Sequence, residues 1–397
     1  MLYQLSHFRV VSGHRITGGT VPVVTDSSLV ADLLTLSREI HADPELAYEE
    51  RRAVERIAAM LERRGHRVER GVGGLETAFR ARVGPAGPSV ALLAEYDALA
   101  EIGHACGHNL IAISNVGAFL VAAAQSERLE IGVELIGTPA EERGGGKLDL
   151  LDAGAFASTI AALSSHPSSD PHWAIGTTSL GVVALRVTYR GVAAHAAASP
   201  EKGRNALNAV IRLFTGVDGW RQHLPDDARV HGIITDGGGP AYNVVPVHAQ
   251  ALFGLRSKDV GVLTEMIVTF GDIARGAALQ TATEVVIDDE MRLYAPTSPH
   301  PVLTELLAAE LAARGVDMTT GDLVAASTDF GNVSQAVPAE YVSFPVGEAK
   351  VPGHSNAFRD AAVTDYAHRQ ALIAVDVLAS AALRLATEAS LRARLSE

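Results

Sequence analysis

Cysteine is almost absent from this chain, since Cys106 is the single cysteine among 397 residues. A chain with one cysteine cannot form an internal disulfide, and such chains are typical of the reducing cytoplasm. We therefore expect a cytoplasmic protein. The one thiol lies in the stretch EIGHACGHNL, directly after an apolar run, with His108 two positions beyond it. Its placement among histidines is therefore the first feature that needs a chemical explanation.

An excess of basic residues is also missing. The chain has 33 lysines and arginines against 46 aspartates and glutamates, a formal net charge of −13. An anionic surface does not attract nucleic acid or anionic membranes. No uninterrupted apolar run reaches the length of a membrane-spanning helix, and the first residues, MLYQLSHFRVVSGHR, lack the apolar centre of a signal peptide. We therefore expect neither a nucleic-acid partner nor a membrane partner.

Strands and helices alternate along most of the chain. The runs SVALLAEYDALA, IGVELIGTPAEE and ASTIAALSSHP read as strands, and helical patterns such as NLIAISNVGAFLVAAAQ lie among them. This alternation predicts an α/β fold with a doubly wound, mainly parallel sheet, whose functional groups gather beyond the carboxyl ends of the strands. The length favours two domains over one compact core.

The pattern changes near residue 178. The runs GVVALRVTYRG, RVHGIITDGGG and VPVHAQALFGLRS alternate with period two, and two helical stretches lie between and after them. We interpret residues 178–290 as a smaller α+β domain inserted into the catalytic domain. The catalytic domain then comprises residues 26–177 and 291–397, and residues 1–25 form an N-terminal extension.

Polar groups cluster at the predicted strand ends. Cys106 and His108 are two positions apart, so in an extended segment both side chains face the same side and can reach one metal ion. Thiolate and imidazole are ligands suited to zinc and its neighbours. Alone, the pair is equally compatible with a buried cysteine beside a structural histidine.

Two adjacent carboxylates, Glu141 and Glu142, follow the second strand in GTPAEERGGGK. Adjacent side chains point in different directions, so one can bind a metal while the other transfers protons, as metal-assisted hydrolysis requires. An exposed acidic turn is the alternative interpretation. His166 follows the third strand and His354 lies in PGHSNAF. With Cys106, these residues would suffice for two metal ions.

Eight motifs, in order, carry a resemblance to a known family. They are HADPELAYEE, AEYDALAEIGHACGHN, GTPAEERGGGK, HPSSD, GVAAHAAASPEKGRNA, GGPAYNVVPVHAQALFGLRS, STDFGN and PGHSNAF. The set, from about Ser28 to about Leu385, resembles the two-metal aminoacylase and carboxypeptidase family. It is most similar to the amidohydrolase branch that includes p-aminobenzoyl-glutamate hydrolases, auxin-conjugate hydrolases and related dipeptidases.

The resemblance implies a ligand set for two divalent metals, Mn²⁺ or Zn²⁺, and the implied ligands are Cys106, His108, Glu142, His166 and His354. It implies that Glu141 is the general base and that Asp97 orients a ligating imidazole. Many members of the wider family have a ligating histidine where this chain has Glu95, so Glu95 is not interpreted as that ligand. His104 is left out of the set.

The inserted domain supplies further candidates by the same resemblance, which implies a ferredoxin-like lid or dimerisation domain and a homodimer. His195 matches a histidine that reaches the scissile carbonyl, often from the partner subunit, and it could donate to the oxyanion. Asn243 and Arg256 match positions that bind the free carboxylate of the substrate, for which an arginine fork is well shaped. Asp329 lies in a family motif whose role the sequence does not give.

The predicted function is that of a dinuclear metal-dependent amidohydrolase. Water held between the metals would attack the amide of an N-acyl or N-aroyl amino acid resembling p-aminobenzoyl-glutamate, or of a short dipeptide with a free carboxylate. Alternatives are an aminoacylase of other N-acyl amino acids and a catalytically silent ligand-binding relative. A thiol-dependent hydrolase with Cys106 as the nucleophile is a further alternative.

Overall fold

The computed structural model describes residues 26–396 except residues 322 and 325, and the predicted extension 1–25 lies outside the described residues. The strands are β1 (Val68–Arg70), β2 (Phe79–Val83), β3 (Ser89–Ala94), β4 (Gly132–Gly137), β5 (Thr159–Ser168), β6 (Trp173–Ile175), β7 (Thr178–Ser179), β8 (Gly181–Arg190), β9 (Arg229–Asp236), β10 (His248–Ser257), β11 (Glu284–Tyr294), β12 (Met318–Thr320), β13 (Leu323–Val324) and β14 (Ala339–Pro345). The helices are α1 (Ser27–Ala42), α2 (Arg51–Arg63), α3 (His108–Ala123), α4 (Gly146–Asp152), α5 (Ala206–Arg221), α6 (Val260–Thr281), α7 (Pro301–Ala313), α8 (Phe330–Ala336), α9 (Asn356–Ala361), α10 (Asp365–Thr387) and α11 (Ala389–Ala393).

The large sheet has the strand order β1-β2-β4-β3-β5-β14-β6-β12. Its centre is parallel, because β3 pairs in parallel with β4 and β5, and β5 pairs in parallel with β14. Every residue of β3 is buried, as expected for a strand covered on both faces. The structure confirms the predicted α/β class with a mainly parallel sheet. Antiparallel strands β1 and β2 complete one edge, and β6 pairs antiparallel with β14.

Helix α3 is buried along its whole length and packs against the sheet and against α10. Helix α10 is long and apolar enough to cross a membrane by composition, but 72% of its most apolar window is buried inside the protein. That burial is typical of the core helix of a globular protein. Both helices place their small and apolar side chains in one core that also contains β3 and β5.

A second sheet is formed by the contiguous segment from Gly181 to Tyr294. Its strands are all antiparallel, in the order β11-β8-β10-β9, and helices α5 and α6 pack against it. Residues of β10 alternate between buried and half-buried along the strand, which is the period-two pattern read from the sequence. The chain order β-α-β-β-α-β with this strand order is the ferredoxin-like arrangement. The division into domains at residues 178 and 290 stays a prediction.

Candidate metal centre

The carboxyl ends of three neighbouring parallel strands meet at one edge of the large sheet. Glu95 directly follows β3, the Glu141–Glu142 pair lies in the loop after β4, and His166 lies near the end of β5. Parallel strands end at the same edge, so their following loops converge there. This topology brings together groups that are far apart in the sequence.

Gly107 allows the chain to turn between Cys106 and His108. Its φ is +80°, in the left-handed region, and a Cβ built on it would lie 2.9 Å from Cγ of Pro167. Helix α3 begins immediately afterwards, at His108. The predicted extended geometry of Cys106–His108 is therefore wrong, and the two side chains converge through a glycine turn at a helix start instead.

A matched pair of substitutions tests this turn. Gly107→Ala places an alanine in the left-handed backbone conformation, which lowers the free energy of unfolding by about 1–2 kcal/mol. It also forces the new methyl group against Pro167. Gly65→Ala imposes a similar backbone, at φ +88°, with nothing within 4 Å of the new Cβ. We expect the thermal unfolding temperature to fall further for Gly107→Ala than for Gly65→Ala. Equal losses would show that the close approach to Pro167 does not matter.

His108 is held by a buried carboxylate. Its Nδ1 lies 2.8 Å from Oδ1 of Asp97, while Oδ2 of Asp97 accepts a hydrogen bond of 2.9 Å from the backbone N–H of Glu142. The other ring nitrogen, Nε2, faces the pocket and lies 3.5 Å from Glu95, 3.8 Å from Glu141 and 3.7 Å from Glu142. This is the arrangement in which a carboxylate fixes the tautomer of a ligating imidazole.

His166 and His354 approach the same pocket from other elements. Nδ1 of His166 donates to the backbone oxygen of Pro167 at 2.7 Å, which leaves Nε2 available at 3.7 Å from Sγ of Cys106. Nε2 of His354 lies 3.9 Å from Oε2 of Glu142, and its side chain is 60% exposed. The His354 side chain therefore lies at the solvent-facing rim of the pocket.

The side chains of this pocket form three groups of potential metal-binding atoms. Within each group, all the atoms lie within 4.8 Å of one another. The groups are Cys106–His108–His166, Cys106–Glu142–His354 and Glu95–His108–Glu141. All five ligands that the resemblance implies therefore lie in one connected cluster. Cys106 and His108 each belong to two of the groups, so they link the three groups into one cluster.

Three buried donor atoms in this cluster test whether a cation fits. Oε2 of Glu95, Nε2 of His108 and Oε1 of Glu142 have no hydrogen-bond partner among the described residues. A buried polar atom without a partner costs free energy, and bound divalent cations would supply partners for these atoms. Thiolate, imidazole and carboxylate together are a donor set suited to zinc and related metals. The residues present therefore fit a metal centre.

The pocket carries a concentrated negative charge. Its carboxylates are those of Glu95, Asp97, Glu141, Glu142 and Asp329, and opposite them lies the ammonium of Lys147. Without a bound cation, burial and the neighbouring Glu95 and Glu142 raise the pKa of Glu141 well above its ordinary value. Burial likewise raises the pKa of the Cys106 thiol. Divalent cations would remove the cost of holding these groups ionised.

Glu141 is fixed through its backbone. Its carbonyl oxygen accepts a hydrogen bond of 3.0 Å from the hydroxyl of Tyr294, and the preceding Ala140 has φ +61° and donates its N–H to Glu50 at 2.8 Å. Gly146 is required nearby, because a Cβ there would lie 2.0 Å from the backbone oxygen of Pro139. The loop after β4 is thus a defined scaffold and not the exposed acidic turn that was the alternative.

Lys147 is the residue that the sequence analysis missed. Its side chain is fully buried, and Nζ lies 2.5 Å from Oδ1 of Asp329 and 2.7 Å from Oε1 of Glu95. These carboxylates outweigh burial and raise its pKa. The structure therefore gives Asp329 a partner. In the sequence, the one signal that could have pointed to Lys147 was the excess of carboxylates at the strand ends. Buried carboxylates in such number favour a basic side chain close by.

His104 lies outside the donor groups. Its ring is buried and stacks against His41 with 6.1 Å between the ring centroids. Neither ring nitrogen has a hydrogen-bond partner among the residues that the structure describes. Burial lowers the pKa of His104 to about 3, so the ring is neutral.

None of the three candidates between β8 and β11 belongs to the donor groups. His195 is exposed and accepts backbone hydrogen bonds at Nδ1 from Ala197 and Ala198, which leaves Nε2 available. Asn243 lies in the adjoining segment, where its backbone oxygen accepts from the N–H of Ala196. Arg256 donates to Oγ of Ser327 at 3.0 Å, two residues before Asp329. Arg256 therefore contacts the loop that carries Asp329, the ion-pair partner of Lys147.

Comparison with known proteins identifies the family. The sequence pattern of peptidase family M20/M25/M40 matches residues 91–376, which is more than half of the chain. The chain belongs to this family. An Xaa-Arg dipeptidase of Mus musculus is 37% identical over 88% of this chain and 84% of its own length. A p-aminobenzoyl-glutamate hydrolase polypeptide of Escherichia coli is 30% identical over 90% of this chain and 89% of its own length.

Solved structures share the fold of this chain. An aminobenzoyl-glutamate utilization protein of Klebsiella pneumoniae superposes with a TM-score of 0.71 at 21% identity, covering 91% of this chain and 98% of that one. A dinuclear metal-binding M20 peptidase of Bacillus subtilis has a TM-score of 0.67 at 21% identity, covering 89% and 99%. Membership of this peptidase family, together with the two hydrolase relatives, identifies the chain as a metal-dependent peptidase or amidohydrolase.

Proposed function

We propose that this protein hydrolyses the amide bond of a small substrate whose amino-acid portion carries a free carboxylate. The observation that carries the proposal is the buried cluster of unpartnered donor atoms around Cys106 and His108, with Glu141 beside it. Bound divalent metals would lower the pKa of water and polarise the amide carbonyl. Mn²⁺ and Zn²⁺ both suit these ligands, and metal analysis of the purified protein distinguishes them.

Glu141 is the proposed proton carrier. Its carboxylate lies 3.8 Å from Nε2 of His108, at the pocket, while its backbone is fixed by Tyr294. It would accept a proton from the attacking water and deliver it to the amine nitrogen as the carbon–nitrogen bond breaks. Cys106, His108, Glu142, His166 and His354 would hold the metals, and Asp97 would keep His108 in the ligating tautomer.

The relatives differ in substrate but share one feature. One is a dipeptidase that acts on Xaa-Arg, and the other a hydrolase of p-aminobenzoyl-glutamate. Both substrates end in an amino acid with a free carboxylate. We propose this class for the present chain, with N-acyl amino acids as the second candidate. A panel of amides that varies the acyl group and the amino acid separately, with chelated enzyme as the control, identifies the substrate.

Arg256 and Asn243 are proposed to bind the free carboxylate. Arg256→Gln should raise KM about 10- to 100-fold with a smaller change in kcat, because it removes a charged hydrogen bond to the substrate. The matched control is Arg186→Gln in the neighbouring strand β8, where the arginine pairs with Glu290. Steady-state kinetics on both variants checks this. An unchanged KM in Arg256→Gln would exclude the role.

We propose a homodimer that forms through the second sheet, because this region exposes apolar side chains. Ile233 is 61% exposed on edge strand β9, and Tyr242 is 98% exposed beside Asn243. An exposed apolar edge strand is a ready site for pairing with a second chain. His195 is exposed in the same region, and in the dimer it would reach the scissile carbonyl of a substrate bound to the partner subunit.

Analytical ultracentrifugation tests this assembly, with twice the chain mass expected. Ile233→Glu should shift the protein towards the monomer and lower its activity together. A wild-type monomer with full activity would exclude the dimer and the shared histidine. We further propose a cytoplasmic location, supported by the single cysteine.

A further inference from the structure

Glu95 is a buried carboxylate that the reaction described above leaves unused. It follows β3 directly, and its side chain is 4% exposed. One oxygen, Oε1, lies 2.7 Å from Nζ of Lys147. The other, Oε2, lies 3.5 Å from Nε2 of His108 and has no hydrogen-bond partner among the described residues. The two oxygens therefore have different surroundings, one paired and one directed at the pocket.

Lys147 fixes this orientation from behind. Its ammonium is 2.5 Å from Oδ1 of Asp329, and its backbone N–H donates to Oδ2 of the same residue at 3.0 Å. Lys147 and Asp329 are both fully buried. Asp329 binds both the backbone N–H and the ammonium of Lys147, so the position of the ammonium is fixed. The ion pair with this ammonium holds Oε1 of Glu95, and Oε2 is therefore directed towards His108.

The unpartnered oxygen of Glu95 lies among other potential metal-binding atoms. Donor atoms of Glu95, His108 and Glu141 lie within 4.8 Å of one another. A buried carboxylate oxygen and a buried imidazole nitrogen, both lacking partners among the described residues and 3.5 Å apart, can be satisfied together by one cation between them. A water molecule would satisfy the carboxylate but would leave the negative charge of the pocket uncompensated.

We propose that Glu95 is an additional metal ligand of this centre and that Lys147, anchored by Asp329, positions it. The proposal rests on the proposed function, because it requires divalent ions in this pocket. It adds a donor to the five that the family resemblance implies, and it gives Lys147 and Asp329 a role. Lys147 is a positioning residue, since it acts on the metal through Glu95.

The test measures metal binding by the full-length protein, separately from activity. Metal-free wild type and Glu95→Gln are titrated with Zn²⁺ by calorimetry, and the Co²⁺-substituted proteins are compared by visible absorption. We expect the affinity for one of the two ions to fall about 10- to 100-fold in Glu95→Gln, with an altered Co²⁺ spectrum. Lys147→Met should lower the same affinity. Glu340→Gln is the matched control, a buried carboxylate that bonds Thr304 away from the pocket.

Thermal unfolding of the metal-free proteins checks that each variant folds. Should Glu95→Gln fail to fold, Glu95→Asp retains the charge but withdraws the oxygen, and a reduced affinity is expected there too. Wild-type affinity and spectrum in Glu95→Gln would overturn the ligand role while leaving the proposed function intact. Wild-type affinity in Lys147→Met would overturn the positioning role. A wild-type protein that binds no divalent ion would overturn the proposed function as well.

Discussion

Glu141→Gln should abolish most hydrolysis while leaving the metals in place. The amide has nearly the same shape as the carboxylate but cannot accept a proton from water, so kcat should fall about 10²- to 10⁴-fold. The hydroxyl of Tyr294 donates to the backbone oxygen of residue 141, which the substitution leaves unchanged, so the loop should keep its position. Steady-state kinetics together with metal analysis of the same preparation measures both quantities.

Two further variants separate this effect from general damage. Glu142→Gln changes a carboxylate next in sequence that contacts His108 and His354, so it should lose metal as well as activity. Glu340→Gln changes a buried carboxylate outside the pocket and should lose neither. If Glu141→Gln retained near-wild-type kcat with full metal content, Glu141 would not be the base.

Cys106→Ala should have an effect of similar size, through the metals. Sγ of Cys106 belongs to the donor group of His108 and His166 and also to that of Glu142 and His354. Its loss therefore weakens both positions, and we expect metal content and activity to fall together, with partial recovery in excess Mn²⁺ or Zn²⁺. Elemental analysis and activity measured against added metal check this prediction.

The same experiment tests the alternative of a thiol nucleophile. A nucleophilic cysteine needs a lowered pKa, whereas burial raises the pKa of Cys106 when no cation is bound. A thiol enzyme would keep its activity after chelation, and its Cys106→Ala variant would be inactive at every metal concentration. Wild type that loses activity on chelation and regains it with metal excludes that mechanism.

Strand and helix patterns were sufficient to predict the large sheet and the meeting of its loops. Strands β3, β4 and β5 are short apolar runs bounded by turn residues, so Glu142 and His166 could be placed at the same edge from sequence alone. The prediction that His354 lies in the same pocket rested on the family resemblance and not on the strand pattern. The antiparallel edge formed by β1 and β2 was not predicted, since runs of three and five partly exposed residues carry little periodic signal.

The remaining details depend on tertiary contacts. The turn at Gly107 looks extended in sequence, and only the approach of Pro167 shows why a left-handed glycine is required there. Lys147 follows three glycines and resembles a surface lysine until Glu95 and Asp329 are found beside it. Residues brought together from three separate segments leave no local pattern, so burial and pairing of this kind emerge only in the folded chain.

The most direct test of the metal centre is a crystal structure of the metal-loaded protein with anomalous scattering data collected at the absorption edge of the bound metal. Two anomalous peaks should lie in the pocket, one bounded by Cys106, His108 and His166 and the other by Cys106, Glu142 and His354. A fully active protein with no peak among these side chains would contradict the two-metal mechanism.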